Sequence, residues 1–461
     1  MRYIISREQF LAGVKEFIIL SIFARRLVFI RHFIKLASIN VISNLMVPLA
    51  GLIDVIFLGH LTEIRHLAGV ALATILFNYI YWTFGFLRMG TTGMVAQAIG
   101  RKDNQSAVLI GLQHGILALI LGITILVFQQ PLQILGFAIL SATPEVKSSG
   151  VDFYNALIWG APATLVNFVL IGWFLGQAQS SKVLLLSVIS NSTNVLLDYL
   201  FIVQWGWSSR GAGLATAASQ YLMLIVGILL YCQTISFKQI QALIGELFDL
   251  SALKLALILN GEIILRTFAL ISTMAMFSNL SSMLGTEILA ANTLLMQVVS
   301  LAAYFIDGLA FATESLAGIF QGSRNISSLK QLLQISVVSS LFIGLMFATA
   351  FICAPESLLR LLTNHPEIIN NLRSYIPWLL PVLGFGSVAY ALDGYFLGLT
   401  QGHILRQSML KATLIGFIPS AITAWYFHNS HLLWLSMSLF MAARTITLAL
   451  CVPKTLTIKQ E

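Results

Sequence analysis

Twelve long apolar runs dominate this chain, and each is long enough to cross a membrane as a helix. The ~30 Å hydrocarbon layer takes about 20 apolar residues. Runs of that order fall at about 35–58, 68–99, 106–128, 152–175, 183–204, 212–233, 255–280, 287–320, 332–353, 374–399, 404–427 and 432–452. Polar or turn-rich joints separate them, among them Arg101-Lys102-Asp103-Asn104, Gln129-Gln130-Pro131, Gln179 to Lys182, Trp205 to Arg210, Gly322 to Asn325 and His428 to His431. The second and eighth runs exceed the layer, so they are expected to tilt or extend past it. The expected fold class is an all-α polytopic membrane protein with twelve transmembrane helices.

Composition agrees. Of the 461 residues 58% are hydrophobic and only 10% charged, whereas soluble domains carry about 25% charged residues. The net charge of +8 is spread between apolar runs rather than gathered into a solvated patch, which argues against a nucleic-acid partner. Cys232, Cys353 and Cys451 lie far apart, so neither a disulfide framework nor a thiolate metal site is expected.

Lys and Arg fall mostly on one side of the runs. With the N-terminus inside, the inside segments hold eighteen and the outside loops five, Arg65, Lys147, Arg210, Arg360 and Arg373, while Arg88, Arg266 and Arg444 lie within spans. Both termini are therefore expected in the cytoplasm. Residues 1–34 carry Lys15, Arg25, Arg26 and Arg31 among short apolar stretches and lack the pattern of a cleaved signal. They read as a basic helix lying on the inner leaflet.

Shifting the chain against itself by 222 residues aligns Leu67-Ala68, Thr91 and Gly100 with Leu289-Ala290, Thr313 and Gly322, and Gly172-Trp173-Phe174-Leu175-Gly176 with Gly394-Tyr395-Phe396-Leu397-Gly398. The shared offset implies two six-helix halves in one orientation, the parallel repeat of a transporter. The expected organisation is a basic segment at 1–34, lobes at 35–233 and 254–452, a cytoplasmic linker at 234–253 bearing Lys238, Glu246 and Asp249, and a tail at 453–461.

Six acids fall within spans: Asp54, Asp198, Glu262, Asp307, Glu314 and Asp393. A central charge costs about 2.5–3.5 kcal/mol on insertion scales, so each should face a partner or an interior cavity. Ser187, Asn191, Asn194 and Asp198 recur at spacings of four, three and four, one narrow polar stripe on the fifth span. The first span answers with Asn40, Asn44, Pro48, Gly51 and Asp54. Pro48 frees the carbonyl of Asn44, so the helix can bend beside the acid. With Asp54 near Asp198, the pair would take up a proton or, with Asn194, hold Na⁺; as the bland alternative, Asn194 and Asp198 only glue helices together.

Glu262 and Arg266, spaced i,i+4, read as an internal ion pair. Asp307 and Glu314 share a face and fit either a second proton site or partners for Arg88 and Arg444. Asp393 is open between site and structure, and His114 reads as a packing residue. An intramembrane aspartyl enzyme would need a shared-proton dyad, but the chain has no G-x-G-D segment beside a span and a two-half repeat is unexplained by an enzyme.

The stretches NLMVPLAGLIDVIFLGHL (44–61), LRMGTTGMVAQAIG (87–100), GWFLGQ (172–177), NVLLDYLF (194–201), GAGLAT (211–216), AYFIDGLAFATE (303–314) and LDGYFLG (392–398) resemble the MATE (multidrug and toxic compound extrusion) transporters, within them the DNA-damage-inducible protein F subfamily. The resemblance implies two six-helix lobes in a V around a central cavity and export of organic compounds driven by H⁺ or Na⁺. It also implies a cation site at Asp54, Asn194, Asp198 and Thr216, with Glu262 and Asp393 as poorer matches to acids used in the C-terminal lobe of plant-type members. The long basic N-terminal extension is not part of the family pattern.

The function expected from residues and resemblance together is secondary active transport without a cofactor. The chain should be a monomeric antiporter of a bacterial inner membrane that exports cationic or amphipathic organic compounds and touches membrane lipid, with H⁺ favoured over Na⁺. A lipid-linked precursor flippase of the same wider superfamily is the alternative.

Overall fold

The computed structural model describes residues 7–235, 239, 241, 243–247, 250–362 and 366–457. Lys238 and Asp249 of the expected linker lie outside the described residues, as do the side chains of Lys15 and Arg25.

The first half comprises α1 (Arg7–Gly59), α2 (Ile64–Phe84), α3 (Phe86–Gly100), α4 (Asn104–Val127), α5 (Gln129–Ile139), α6 (Pro144–Leu157), α7 (Ala161–Gly176), α8 (Ser180–Asp198) and α9 (Ser208–Thr234). The second comprises α10 (Leu250–Met283), α11 (Thr286–Gly322), α12 (Ile326–Cys353), α13 (Pro355–Leu362), α14 (Pro366–Tyr375), α15 (Leu379–Gly398), α16 (Gly402–Lys411), α17 (Ile418–Tyr426), α18 (Ser430–Ala449) and α19 (Val452–Thr455).

Eleven spans among the described residues are long and apolar enough to cross a membrane, and two of them, Ile64–Gly100 and Thr286–Gly322, run to 37 residues. These are the second and eighth runs. The twelfth crossing joins α16 to α17 through a π-helical stretch, Ala412–Phe417. Pro419 follows it closely and supplies no N–H, which favours the widened turn.

No break separates residues 7–34 from the first span, because α1 is one helix of 53 residues, about 80 Å long at 1.5 Å per residue.

The repeat is visible in the backbone. Lys102 and Arg324 both have positive φ, as do Ala178 and Thr400, and Gly206 and His428, and each pair is 222 residues apart. Asp103 caps α4 by accepting from Ser106 N, and Asn325 caps α12 by accepting from Ser328 N. Thr91 Oγ1 lies 2.6 Å from His114 Nδ1, and Thr313 Oγ1 lies 2.6 Å from Ser336 Oγ. Two halves folded alike, each on six crossings, follow from these matched positions.

Small residues set how closely the helices pack, because association within lipid depends on backbone approach more than on apolar burial. A Cβ at Gly172 would stand 2.5 Å from Arg88 O, and one at Gly394 would stand 2.4 Å from Ala310 O, the same contact in the two halves. Large apolar side chains such as Phe342 and Ile415 point outward, 68% and 71% exposed, where a bilayer supplies their partners.

The halves meet along α3, α11 and α15. A Cβ on Gly100 would be 2.2 Å from Ile319 O and one on Gly322 2.1 Å from Gln97 O, so only glycine fits this seam. Gln97 Nε2 donates across it to Gly398 O at 3.0 Å and to Thr400 Oγ1 at 3.1 Å. The seam closes the end of the molecule that carries the Arg101–Asp103 and Ser323–Asn325 joints.

Candidate functional site

In the first half α1 packs against α8. Ser43 Oγ meets Ser187 Oγ at 2.7 Å, three helical turns before the two acids come together. The carboxyl groups of Asp54 and Asp198 reach hydrogen-bonding range of each other. Asp198 is fully buried, Asp54 is half-buried, and Asp198 is the last residue before a π-helical stretch, Tyr199–Gln204. Asp54 Oδ1 and both oxygens of Asp198 have no donor among the described residues.

That juxtaposition decides what the site can do. Two carboxylates offer each other only lone pairs, so the contact becomes a hydrogen bond only when one carries a proton. Two unit charges about 4 Å apart repel by about 4 kcal/mol at an effective dielectric of ~20. Either a proton or a bound cation removes this cost.

Asn194, also buried, faces the other way and donates Nδ2 to Thr216 Oγ1 of α9 at 3.3 Å. Thr216 in turn donates to Ala212 O at 3.0 Å. The polar stripe of α8 is thus shared between two neighbours: Ser187 and Asp198 turn to α1, Asn194 turns to α9, and Asn191 bonds back to Ser187 O at 2.7 Å.

On α1 the expected stripe also divides. Asn40 is buried, and neither of its amide atoms has a partner among the described residues. Asn44 donates to Tyr304 O of α11 at 2.9 Å, so it ties α1 to the opposite half rather than facing α8. Ser43 makes the contact to the α8 stripe instead, and a serine among apolar neighbours was too weak a signal to single out. Pro48 sits inside the unbroken helix between Asn44 and Asp54.

The second half holds a different arrangement. Arg266 and Arg444 both donate to Asp393 Oδ2, and the side chains of all three are 7% exposed or less. Arg88 Nη1 pairs with Glu314 Oε2 at 3.3 Å between the halves, and its guanidinium lies 4.2 Å from the Phe311 ring centre. Asp307 is half-buried within electrostatic reach of Arg88, Arg266 and Arg444.

The expected Glu262–Arg266 pair is not formed. Glu262 Oε2 meets Arg406 Nε at 2.9 Å, and Arg266 goes to Asp393. An i,i+4 pair contributes only about 0.2–0.5 kcal/mol, whereas a buried carboxylate left unpaired costs several kcal/mol. Of the two readings left open for Asp307 and Glu314, a second proton site or partners for Arg88 and Arg444, the pairings seen are Arg88 with Glu314 and Arg444 with Asp393. His114 is buried and bonded to Thr91. A further buried network, Asn292 with Ser281, Ser430 and Trp434, escaped sequence reasoning because its members lie in separate runs.

The repeat sharpens the contrast. Positions equivalent to Asp54, Asn194 and Asp198 are Met276, Gly416 and Ser420, so the carboxyl pair belongs to the first half alone. Conversely, Asp393 answers to Ile171.

Comparison with known proteins settles the family. A MatE family model matches residues 40–200 and 263–422, one match in each half. The chain belongs to the MATE family. It is 32% identical over 419 residues to DNA damage-inducible protein F of Escherichia coli (strain K12), covering 90% of both chains. It is 23% identical over 398 residues to the probable multidrug resistance protein NorM of Thermotoga maritima, covering 84% of this chain and 82% of that one. Its fold matches a solved outward-facing conformation of a multidrug resistance MATE family transporter, with a TM-score of 0.85 at 20% identity over 94% of this chain and 97% of that one. As a MATE protein it is an integral membrane secondary transporter, not an enzyme.

Proposed function

We propose that this MATE chain is a proton-coupled antiporter that exports cationic or amphipathic organic compounds by alternating access from a bacterial inner membrane, both termini in the cytoplasm. The observation that carries the coupling site is the contact of Asp54 with Asp198 without a donor between them. Loading a proton turns repulsion into a hydrogen bond and draws α1 toward α8. Unloading releases it. Asn194 and Thr216 complete an oxygen-rich neighbourhood in which Na⁺ is the competing ion. The relatives' names speak of multidrug resistance, which supports organic compounds as the cargo.

Pro48 is the hinge of this reading. It withholds the N–H that would hold Asn44 O, while the Asn44 side chain is anchored on Tyr304 O of the opposite half. Bending at Pro48 therefore swings Asp54 against an anchored segment, and ion occupancy is linked to the relation between the halves. Such coupling requires that cation and substrate favour opposite states.

The test is uptake of a fluorescent organic cation into proteoliposomes under an imposed pH gradient or an imposed Na⁺ gradient. A pH gradient should drive uptake and a Na⁺ gradient should not. Asp54→Asn should abolish the driven component while the protein keeps its thermal unfolding temperature; undiminished uptake removes Asp54 from the mechanism.

A further inference from the structure

Residues 26–37 of α1 have two contrasting faces. Phe33, Leu36 and Ala37 are buried, at 0%, 7% and 4% exposure, and Phe29 stacks on Phe320 of α11 with ring centroids 5.7 Å apart. Positions 29, 33, 36 and 37 form one helical face, clasped to the second half beside the closed seam. The other face exposes Arg31, His32 and Lys35, interleaved with the exposed apolar side chains Leu27, Val28 and Ile34. Among the described residues no acid pairs with Arg31 or Lys35.

Depth places this face at a membrane surface. If residues 39–58 fill the hydrocarbon layer, Lys35 lies about 6 Å and Arg31 about 12 Å beyond it at 1.5 Å per residue. The headgroup zone occupies roughly the first 5–8 Å, and electrostatic attraction extends about another 8 Å at physiological salt. Basic residues mixed with exposed apolar ones at this depth match anionic headgroups over acyl chains.

We propose that the exposed face of α1 around Arg31 and Lys35 binds anionic phospholipid, and that bound lipid presses the opposite face onto α11 and favours the state with the α3–α11–α15 seam closed. The effect on transport rests on the antiport reading above; the binding does not.

Purified full-length protein in neutral detergent is titrated with fluorescent phosphatidylglycerol, with phosphatidylcholine as the control. The double variant R31Q/K35Q should bind phosphatidylglycerol about thirtyfold more weakly, while R31K/K35R should bind like the parent and thereby exclude misfolding as the cause. Equal phosphatidylglycerol binding by parent and double variant overturns the proposal, as does a parent that prefers poly-glutamate to phosphatidylglycerol. In proteoliposomes with and without phosphatidylglycerol, the parent's transport rate should respond to the lipid. F29A/F33A should keep lipid binding and lose that response; a response retained in F29A/F33A overturns the clasp. Lipid binding without transport would bring down the antiport reading alone.

Discussion

Arg444, a fully buried cation, donates to Asp393, and the same carboxylate oxygen also receives Arg266. In the second half Glu262, Glu314 and Asp393 each meet an arginine, whereas the first half leaves Asp54 and Asp198 facing one another. On the proposed coupling, this asymmetry assigns stability to one half and exchange to the other.

The shared carboxylate makes an ordered set of stabilities. Asp393→Leu leaves two buried guanidinium groups without their acceptor and should destabilise by about 3–5 kcal/mol. Arg444→Met leaves a one-to-one Arg266–Asp393 pair and should cost less. Glu262→Gln breaks a pair whose side chains are 17% and 32% exposed and should cost about 0–1 kcal/mol. Thermal unfolding in detergent reads all three, and a Glu262→Gln cost equal to that of Asp393→Leu would contradict the ordering.

The seam makes a second prediction. Gly322→Ala drives a methyl group toward Gln97 O, where the built distance is 2.1 Å, and α3 must move from α11 at a cost of about 1–3 kcal/mol. Spin labels at Lys102 and Arg324 should report a longer, broader distance distribution. Gly51→Ala, with nothing within 4 Å, should leave that distribution unchanged.

The caps make a third. The Ser106 hydroxyl and backbone N–H donate to Asp103 at 2.5 and 3.0 Å and hold its carboxyl below the ordinary carboxylate range. A depressed folded-state value contributes stability that is present above the unfolded value near 3.9 and is lost as pH falls through the folded one. Asp103→Ala should cost about 0.5–2 kcal/mol at neutral pH. Asp103→Asn, which mimics Asn325 of the second half, should keep most of the cap and remove its acid sensitivity. Unfolding temperatures at neutral pH and near pH 3 check both.

Much of this protein was legible along the chain, because a bilayer imposes local rules. Apolar length sets the crossings, and the 222-residue offset in Gly172-Trp173-Phe174-Leu175-Gly176 and its partner is met again in the matched caps and turns. The six embedded acids stood out because each is costly in lipid wherever it points. The π-helical join at Ala412–Phe417 and the seam glycines carried no comparable signal, since a small residue in an apolar run does not name its neighbour.

Sequence alone determined the all-helical membrane class, the doubled architecture and the short roster of charged side chains that any mechanism must use. Only the tertiary structure decided which charge meets which: Arg266 passes over Glu262, four residues away, for Asp393 on a distant helix, and Asn44 turns to Tyr304 rather than to α8. The reason is that helical periodicity fixes the face a residue occupies, while the partner on that face depends on how separate helices pack. In a low-dielectric interior the deepest charge, not the nearest in sequence, has the strongest demand for one.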